Sequence, residues 1–277
     1  MPQRITPAPY LSLDDGATIP QLGYGLYKVP PSDTVRLCRE AIAIGYRHLD
    51  TAAFYGNEEQ VGIALREADV PRDELYVTSK VWKDDNGFDT TLEAFDRSMA
   101  RLALDQVDLY LIHWPVPSTD RYVDTWRALI RLQEEGRVRS IGVANFHAHH
   151  IERLIDETGV TPVVNQVELH PWLPQAELRE FHERREIRTE AWSPLARGRI
   201  LGTPLLDDLA DKHGRTPAQI VLRWHVELGN IVIPKASSPE RLRENLDVFD
   251  FALDPDDLTA IAALETGERT GRDPDFD

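Results

Sequence analysis

The stretch ELYVTSKVW-KDDNGF-DTTLEAFDRSMARLAL-DQ-VDLYLIHW, residues 74–114, contains an apolar strand, an amphipathic helix and a second apolar strand. Two short apolar runs on either side of a helix-period segment are typical of a βαβ unit with parallel strands. The same alternation continues outward from this unit in both directions. The remaining predicted strands are LGYGLY (22–27), YRHLDT (46–51), VRSIGVAN (138–145), PVVNQVEL (162–169), IRTEAW (187–192) and NIVIP (230–234).

The number and regularity of these alternations indicate the fold class. Eight strand–helix repeats without a linker or a low-complexity stretch favour an α/β (β/α)8 TIM barrel over an open sheet. Before the first strand, YLSL-DDG-ATIP (10–20) predicts a β-hairpin with an Asp-Gly turn. Residues 204–228 and 254–265 read as helices beyond the eight-fold pattern, the second being an additional C-terminal helix. We expect residues 1–277 to form one domain.

A doubly wound fold is the alternative, and it needs a glycine-rich phosphate loop after the first strand. The nearest match is Gly23-Tyr-Gly25, which lies inside the predicted strand and lacks a third glycine. This spacing is weak support for a dinucleotide fingerprint.

Charge limits the classes of partner. The formal net charge is −16 and the pI about 5.0, which disfavours nucleic acids and anionic membranes as partners. A phosphate ligand would therefore need a local basic pocket. Because few of the basic residues are lysines, each lysine is a candidate for a specific role: Lys28, Lys80, Lys83, Lys212 and Lys235.

Cysteine content and hydropathy point to a soluble cytoplasmic protein. The single cysteine, Cys38, excludes an intramolecular disulfide and falls in a predicted helix, which argues against a nucleophilic role. No run approaches the roughly 18 apolar residues of a membrane helix. The first residues show no signal-peptide pattern.

Four polar residues fall at the carboxyl ends of predicted strands, where barrel enzymes carry their active sites. Asp50 ends the second strand, Tyr55 follows it, Lys80 lies near the end of the third, and His113 ends the fourth. Lys80 has apolar neighbours and needs a counter-ion, for which Asp50 is placed. Taken singly, each has a structural explanation: an ion pair, a core histidine or a packed aromatic ring. Their convergence from three consecutive strands favours a catalytic site.

Six segments, in this order, resemble the aldo-keto reductase family over nearly the whole chain. They are GYRHLDTAAFYGNEEQVG (45–62), KVW (80–82), LIHWP (111–115), VNQVELHP (164–171), WSPLARG (192–198) and IPKASSPERLRENLDVFDF (233–251). LGYGLYKVP, LALDQVDLYLIHWP and TPAQIVLRWH are most similar to the bacterial 2,5-diketo-D-gluconate reductase branch.

The resemblance implies an NADPH-dependent reduction of aldehydes or ketones. Tyr55 would be the general acid, Lys80 and Asp50 would tune it, and His113 would orient the carbonyl oxygen. A phenol is a weak acid at neutral pH, and a neighbouring ammonium is expected to lower the pKa of Tyr55.

The resemblance also implies the cofactor residues. Trp192, followed by Ser193, would lie against the nicotinamide, and Asn145 and Gln166 would hold its carboxamide. The adenosine 2′-phosphate would be bound by a basic segment at a helix start, a suitable anion site: Lys235, Ser237, Ser238 and Arg241, with Glu244 and Asn245 near adenine. Relatives usually carry serine where this chain has Ala144 and Ala236. We therefore expect one carboxamide hydrogen bond to be missing, because of Ala144, and some use of NADH, because of Ala236.

An aromatic rim is expected around the substrate, formed by Tyr27, Trp82, Trp114 and Trp172. Such a wall suits a small carbonyl compound, with 2,5-diketo-D-gluconate, dicarbonyls and aromatic aldehydes as candidates. Monomer is the family default, and tails such as the short one here contribute to specificity in the family. No metal site is expected, because His147 and His150 of HAHH (147–150) fall at a helix start without cysteine or carboxylate partners.

Two other functions remain open from sequence alone. Potassium-channel β subunits share the fold, so a nucleotide-binding regulatory subunit is one alternative. A sugar-phosphate isomerase barrel, with Lys80 and His113 as acid and base, is the other. Consumption of NADPH by an aldehyde would separate reduction from both.

Overall fold

A computed structural model describes residues 5–276. Residues 1–4 and 277, at the two ends of the expected single domain, lie outside this described part. Eight parallel strands form one sheet in which neighbours along the chain are neighbours in space. The strands are β3 (Tyr24–Gly25), β4 (His48–Asp50), β5 (Tyr76–Val81), β6 (Val107–Ile112), β7 (Val138–Ala144), β8 (Val164–Glu168), β9 (Arg188–Trp192) and β10 (Ile231–Val232). The predicted (β/α)8 barrel is confirmed.

The first and last strands meet and close the barrel. The Gly23 N–H donates to the Val232 carbonyl at 2.9 Å, and the Gly25 N–H donates to the Pro234 carbonyl at 3.2 Å. A Cβ placed on Gly25 would lie 2.6 Å from the carbonyl oxygen of Ile233. The two glycines thus allow close approach of the last strand, and they do not form a phosphate loop.

The helices surround the sheet and bury their apolar faces against it. Within residues 5–276 they are α1 (Pro31–Ile44), α2 (Glu58–Arg66), α3 (Phe88–Leu102), α4 (Tyr122–Glu134), α5 (Ala148–Thr158), α6 (Ala176–Arg184), α7 (Pro204–His213), α8 (Pro217–Glu227), α9 (Pro239–Leu246) and α10 (Pro255–Ala262). The segments 204–228 and 254–265 are helical as predicted, giving α7, α8 and α10. None of the described helices is both long and apolar enough to cross a membrane.

The predicted N-terminal hairpin covers the amino-terminal end of the barrel. It consists of β1 (Tyr10–Ser12) and β2 (Thr18–Pro20), which pair antiparallel. Leu13 and Ile19 are buried in a cluster with barrel side chains that include Tyr76, Leu109, Leu111, Val164 and Ile231. Because this end is covered, the carboxyl ends of the strands form the accessible mouth.

A buried polar layer lies between that apolar cluster and the mouth. His48 Nε2 lies 2.9 Å from Thr78 Oγ1, and Glu190 Oε2 accepts a hydrogen bond of 2.9 Å from Gln166 Nε2. Burial lowers the pKa of His48 to about 3, so its imidazole is neutral. Burial, followed by the charge of Asp50, raises the pKa of Glu190 to about 8. Glu190 is therefore protonated over the lower part of the physiological pH range.

We expect Glu190→Gln to become more stable relative to the wild type as pH rises from about 4.5 to about 8. In the unfolded chain the carboxyl ionises from its ordinary value of 4.5, whereas in the folded chain it stays protonated up to about 8. The wild type therefore loses stability over this window, and an amide at position 190 does not.

Denaturant unfolding at about pH 5 and about pH 8 measures the effect. Glu93→Gln, which changes a largely exposed carboxyl on α3, is the matched control. The assignment is wrong if the stability difference between Glu190→Gln and the wild type is the same at both pH values.

Candidate active site

The four residues proposed for catalysis lie together at the mouth of the barrel. Asp50 ends β4, Lys80 is the penultimate residue of β5, and His113 directly follows β6. Tyr55 ends a 3-10 turn (Ala53–Tyr55) that follows β4. Parallel strands of one barrel end at the same rim, and this brings the four side chains together.

Lys80 is fully buried and all its hydrogen bonds are made within the site. Its Nζ donates to both carboxylate oxygens of Asp50 at 2.8 Å and to the Thr51 carbonyl at 2.9 Å. The Tyr55 hydroxyl lies 3.4 Å from the same Nζ. Gln166 Nε2 donates to Asp50 Oδ2 at 2.8 Å. The buried ion pair is thus both charge-balanced and saturated with hydrogen bonds.

The expectation that Lys80 lowers the pKa of Tyr55 is wrong. Burial raises the pKa of Tyr55 well above its ordinary value, and Asp50 is the next largest contribution in the same direction. The physical reason is that the buried phenol loses the water that would stabilise a phenolate, and the charge of Asp50 disfavours the phenolate further. Tyr55 therefore holds its proton throughout the physiological range.

His113 is a neutral imidazole beside the phenol. Burial, with a contribution from Lys80, holds its pKa well below the ordinary value. Its ring contacts Tyr55 and Trp82 edge-on, with centroid separations of 5.7 and 5.1 Å. Among the described residues, its Nδ1 has no hydrogen-bond partner. A neutral imidazole carries a single N–H, so His113 can donate a hydrogen bond without transferring a proton.

The residues expected at the carboxamide form one hydrogen-bonded group. Trp192 Nε1 donates to Asn145 Oδ1 at 2.8 Å, and Asn145 Nδ2 donates to the His113 carbonyl at 2.9 Å. Gln166 uses its Nε2 on two carboxylates, which leaves its Oε1 as an acceptor. Ser193, directly after Trp192, has a φ of 49° in the left-handed region. The Asn145 amide therefore holds the Trp192 indole in place and also hydrogen-bonds the His113 backbone.

The segment expected at the 2′-phosphate follows β10 and begins α9. Lys235, Ser237 and Arg241 are exposed. Ser238 is the N-cap residue of α9, and its Oγ accepts from the Arg241 N–H at 3.4 Å. Neither Lys235 nor Arg241 pairs with a carboxylate within residues 5–276, so two cations remain available to an anion.

Glu244 and Asn245, expected near adenine, are engaged in local packing. Glu244 Oε1 accepts from Thr216 Oγ1 at 2.5 Å, which links α9 to the start of α8. Asn245 is buried, with 4% of its surface exposed. Their contact with an adenine ring stays a prediction.

The aromatic rim includes one residue that the sequence reading missed. Phe54 stacks on Trp82 with a centroid separation of 3.8 Å and is half exposed. Tyr27 lies 5.2 Å from the Tyr55 ring and is also exposed. Trp114 is partly buried, and its carbonyl accepts a hydrogen bond. Phe54 precedes Tyr55 in the same turn, and its position there was the available signal.

The sequence reading also missed Glu168, a buried carboxylate at the end of β8. It accepts the N–H groups of Thr270 at 2.6 Å and Gly271 at 3.0 Å, so it fixes the C-terminal tail at the mouth. A Cβ on Gly271 would lie 2.5 Å from the Trp192 indole. Glu168 is two residues after Gln166, and strand alternation indicates that both side chains point into the barrel.

The histidines of HAHH (147–150) have carboxylate partners, so the premise for excluding a metal was wrong. His147 Nε2 lies 3.1 Å from Asp273 Oδ1, and His150 Nε2 lies 3.4 Å from Asp275 Oδ1. Both acids belong to the C-terminal tail, more than 100 residues away in sequence. Only the fold brings them to α5.

Comparison with known proteins assigns the barrel to a family. The profile described as the Aldo/keto reductase family matches residues 21–266. An aldo-keto reductase of Mycolicibacterium smegmatis is 52% identical over 267 residues, covering 96% of this chain and 97% of that protein. The methylglyoxal reductase DkgA of Escherichia coli is 51% identical over 267 residues, covering 96% of each chain.

Solved structures agree with these sequence matches. The apo form of the protein Gox0644 superimposes with a TM-score of 0.94 at 50% identity, covering 97% of this chain and 98% of that chain. A variant of Gox0644 in complex with NADPH has the same TM-score of 0.94 at 48% identity, covering 98% and 99%. The chain belongs to the aldo/keto reductase family.

Proposed function

We propose that this chain is an NADPH-dependent reductase of small carbonyl compounds in which Tyr55 is the general acid. One observation carries the proposal: the protonated Tyr55 hydroxyl lies 3.4 Å from a buried, charge-balanced Lys80, beside the neutral His113 ring. A similar structure holds NADPH, and the E. coli relative is named a methylglyoxal reductase.

The residues present fit a nicotinamide dinucleotide phosphate. Gln166 Oε1 is an open acceptor for a carboxamide N–H, and the partly buried Trp192 indole offers a flat surface at the mouth. Lys235 and Arg241 supply two exposed cations at a helix start in a protein whose net charge is −16. The bound nicotinamide would supply hydride to the carbonyl carbon.

Side chains of this protein would stabilise and protonate the carbonyl oxygen. His113 donates its single N–H to that oxygen, which stabilises the negative charge that develops there. Tyr55 donates the proton that turns the oxygen into an alcohol. Lys80, 3.4 Å from the phenol oxygen, stabilises the phenolate left by that transfer, and Asp50 holds the ammonium in position. The raised pKa of Tyr55 ensures that the proton is present when substrate arrives.

We propose α-dicarbonyls of the methylglyoxal type as substrates, with 2,5-diketo-D-gluconate as the second candidate. The rim formed by Tyr27, Phe54 and Trp82 surrounds the Tyr55 and His113 pair with flat apolar surfaces. Such a mouth admits a small carbonyl compound and offers few groups to recognise a long polar chain. Ranking carbonyl substrates by kcat/KM tests this choice.

We expect Tyr55→Phe to lower kcat for methylglyoxal reduction by about 10²–10⁴-fold, because the ring still packs but no longer donates a proton. NADPH affinity should stay nearly unchanged. Steady-state kinetics and a fluorescence titration measure the two quantities. Tyr10→Phe, which removes an exposed hydroxyl from the hairpin, is the matched control. A near-normal kcat in Tyr55→Phe would exclude Tyr55 as the general acid. If the wild type consumes no NADPH with any carbonyl substrate, the chain would be a nucleotide-binding subunit instead of a reductase.

Replacing both Lys235 and Arg241 by alanine should weaken the binding of NADPH at least about tenfold more than the binding of NADH, since only NADPH carries the 2′-phosphate. Because Ala236 stands where serine is usual, the wild type should show measurable activity with NADH. Cofactor dissociation constants for both proteins provide the measurement. Equal weakening of NADPH and NADH binding would exclude Lys235 and Arg241 as ligands of the 2′-phosphate.

Trp192→Phe should reduce the quenching of tryptophan emission by NADPH and weaken its binding, since a smaller ring remains to stack. Trp192 is partly buried at the mouth, whereas Trp224 is buried on α8, so Trp224→Phe is the control. Fluorescence titration of both variants measures the two effects. Unchanged quenching and affinity in Trp192→Phe, with a lowered melting temperature, would make Trp192 a packing residue only.

A further inference from the structure

Three histidines at the start of α5 face two aspartates of the C-terminal tail. His147 Nε2 lies 3.1 Å from Asp273 Oδ1 and 3.9 Å from Asp275 Oδ1. His149 Nε2 and His150 Nε2 lie 3.5 and 3.4 Å from Asp275 Oδ1. These atoms form two overlapping groups that share Asp275, and the group of His147, Asp273 and Asp275 brings one imidazole and two carboxylates together.

The separations are those of ligands around a small divalent ion. Zinc binds imidazole nitrogen and carboxylate oxygen at about 2.0–2.2 Å, which places neighbouring tetrahedral ligand atoms about 3.4 Å apart. The His147–Asp273 distance of 3.1 Å is close to that value, and the His147–Asp275 distance of 3.9 Å needs only a small closure. The ligand atoms of His147, Asp273 and Asp275 all lie within 4.8 Å of one another.

His150 is not proposed as a metal ligand, because its Nδ1 already accepts a hydrogen bond. The His147 backbone N–H donates to His150 Nδ1 at 3.2 Å, so the neutral ring carries its hydrogen on Nε2. Its Nε2–H therefore points at Asp275 and orients that carboxylate, as outer partners of metal ligands do.

The charges around the cluster also suit a cation. Two carboxylates face the imidazole of His147, and the protein as a whole is strongly acidic. Arg269 Nε lies 3.5 Å from Asp273 Oδ2. Asp273 Oδ1 accepts the Asp275 N–H at 3.0 Å, which leaves the second lone pair of that oxygen for the cluster. Imidazole with carboxylate favours zinc, nickel, cobalt or copper over magnesium or calcium.

We propose that His147, Asp273 and Asp275 bind one divalent transition-metal ion, and that this ion fastens the C-terminal tail to the start of α5. Nearer the barrel the tail is already held by Trp172, whose carbonyl accepts the N–H groups of Thr266 and Gly267, and by Glu168, which accepts those of Thr270 and Gly271. A second attachment three residues further on would fix the segment that packs against the Trp192 indole.

Binding of Zn²⁺ to the full chain, stripped with EDTA and dialysed, tests the site. We expect equilibrium dialysis to give one ion per chain, with affinity at least about tenfold lower in Asp275→Asn and in His147→Ala. Asp120→Asn, an exposed aspartate in an ion pair with Arg153, is the matched control and should bind as the wild type does. The site is refuted if the wild type binds no zinc, or if Asp275→Asn and His147→Ala retain its affinity.

Hydrogen exchange tests the fastening, independently of enzymatic activity. Zinc should slow amide exchange in residues 268–276 of the wild type and leave Asp275→Asn unaffected. Exchange of the tail that does not respond to zinc in the wild type would overturn the fastening. Melting temperatures in EDTA show whether each variant is folded, and Asp273→Asn, which should lose zinc binding in the same way, provides a second variant in the tail.

Discussion

The buried pair of Lys80 and Asp50 is the constraint on which the mouth of this barrel depends. Two charges removed from water are stable only when they neutralise each other and every remaining donor and acceptor is used. Here both carboxylate oxygens accept from the ammonium, Thr51 accepts a further hydrogen bond, and Gln166 donates one. Adjacent parallel strands supply this geometry, because β4 and β5 end side by side.

The same constraint extends one layer deeper. Gln166 donates to Asp50 and to Glu190, so two carboxyl groups share one amide, while the layer has one lysine. Burial, and after it the negative charge of Asp50, raises the pKa of Glu190 to about 8, since a second ionised carboxylate here would lack a counter-charge. Because the amide N–H groups point inward, the Gln166 carbonyl oxygen remains for a ligand at the mouth. The two buried carboxyl groups thus orient the Gln166 amide so that it presents an acceptor at the mouth.

Sequence was sufficient for the barrel and for the grouping of Asp50, Tyr55, Lys80 and His113, since strand ends in a parallel barrel share one rim. It was not sufficient for the pKa of Tyr55, because that depends on how completely the phenol is buried and on the nearby charge of Asp50. Strand alternation does place Glu190 inside the barrel, two residues before Trp192. The tail contacts were out of reach, since no local pattern links residues 147–150 to residues 273–275.

The closure of the barrel has a consequence for how the chain folds. β3 completes its hydrogen bonds only with the segment around β10, some 200 residues later in the chain. Bringing such distant segments together carries a large loop entropy, and it requires that both exist. During synthesis from the amino terminus, the earlier strands therefore emerge with both edges of the sheet unpaired. A growing chain of this protein presents two open edges until its last strand leaves the ribosome, which makes that interval its period of greatest exposure to misassembly.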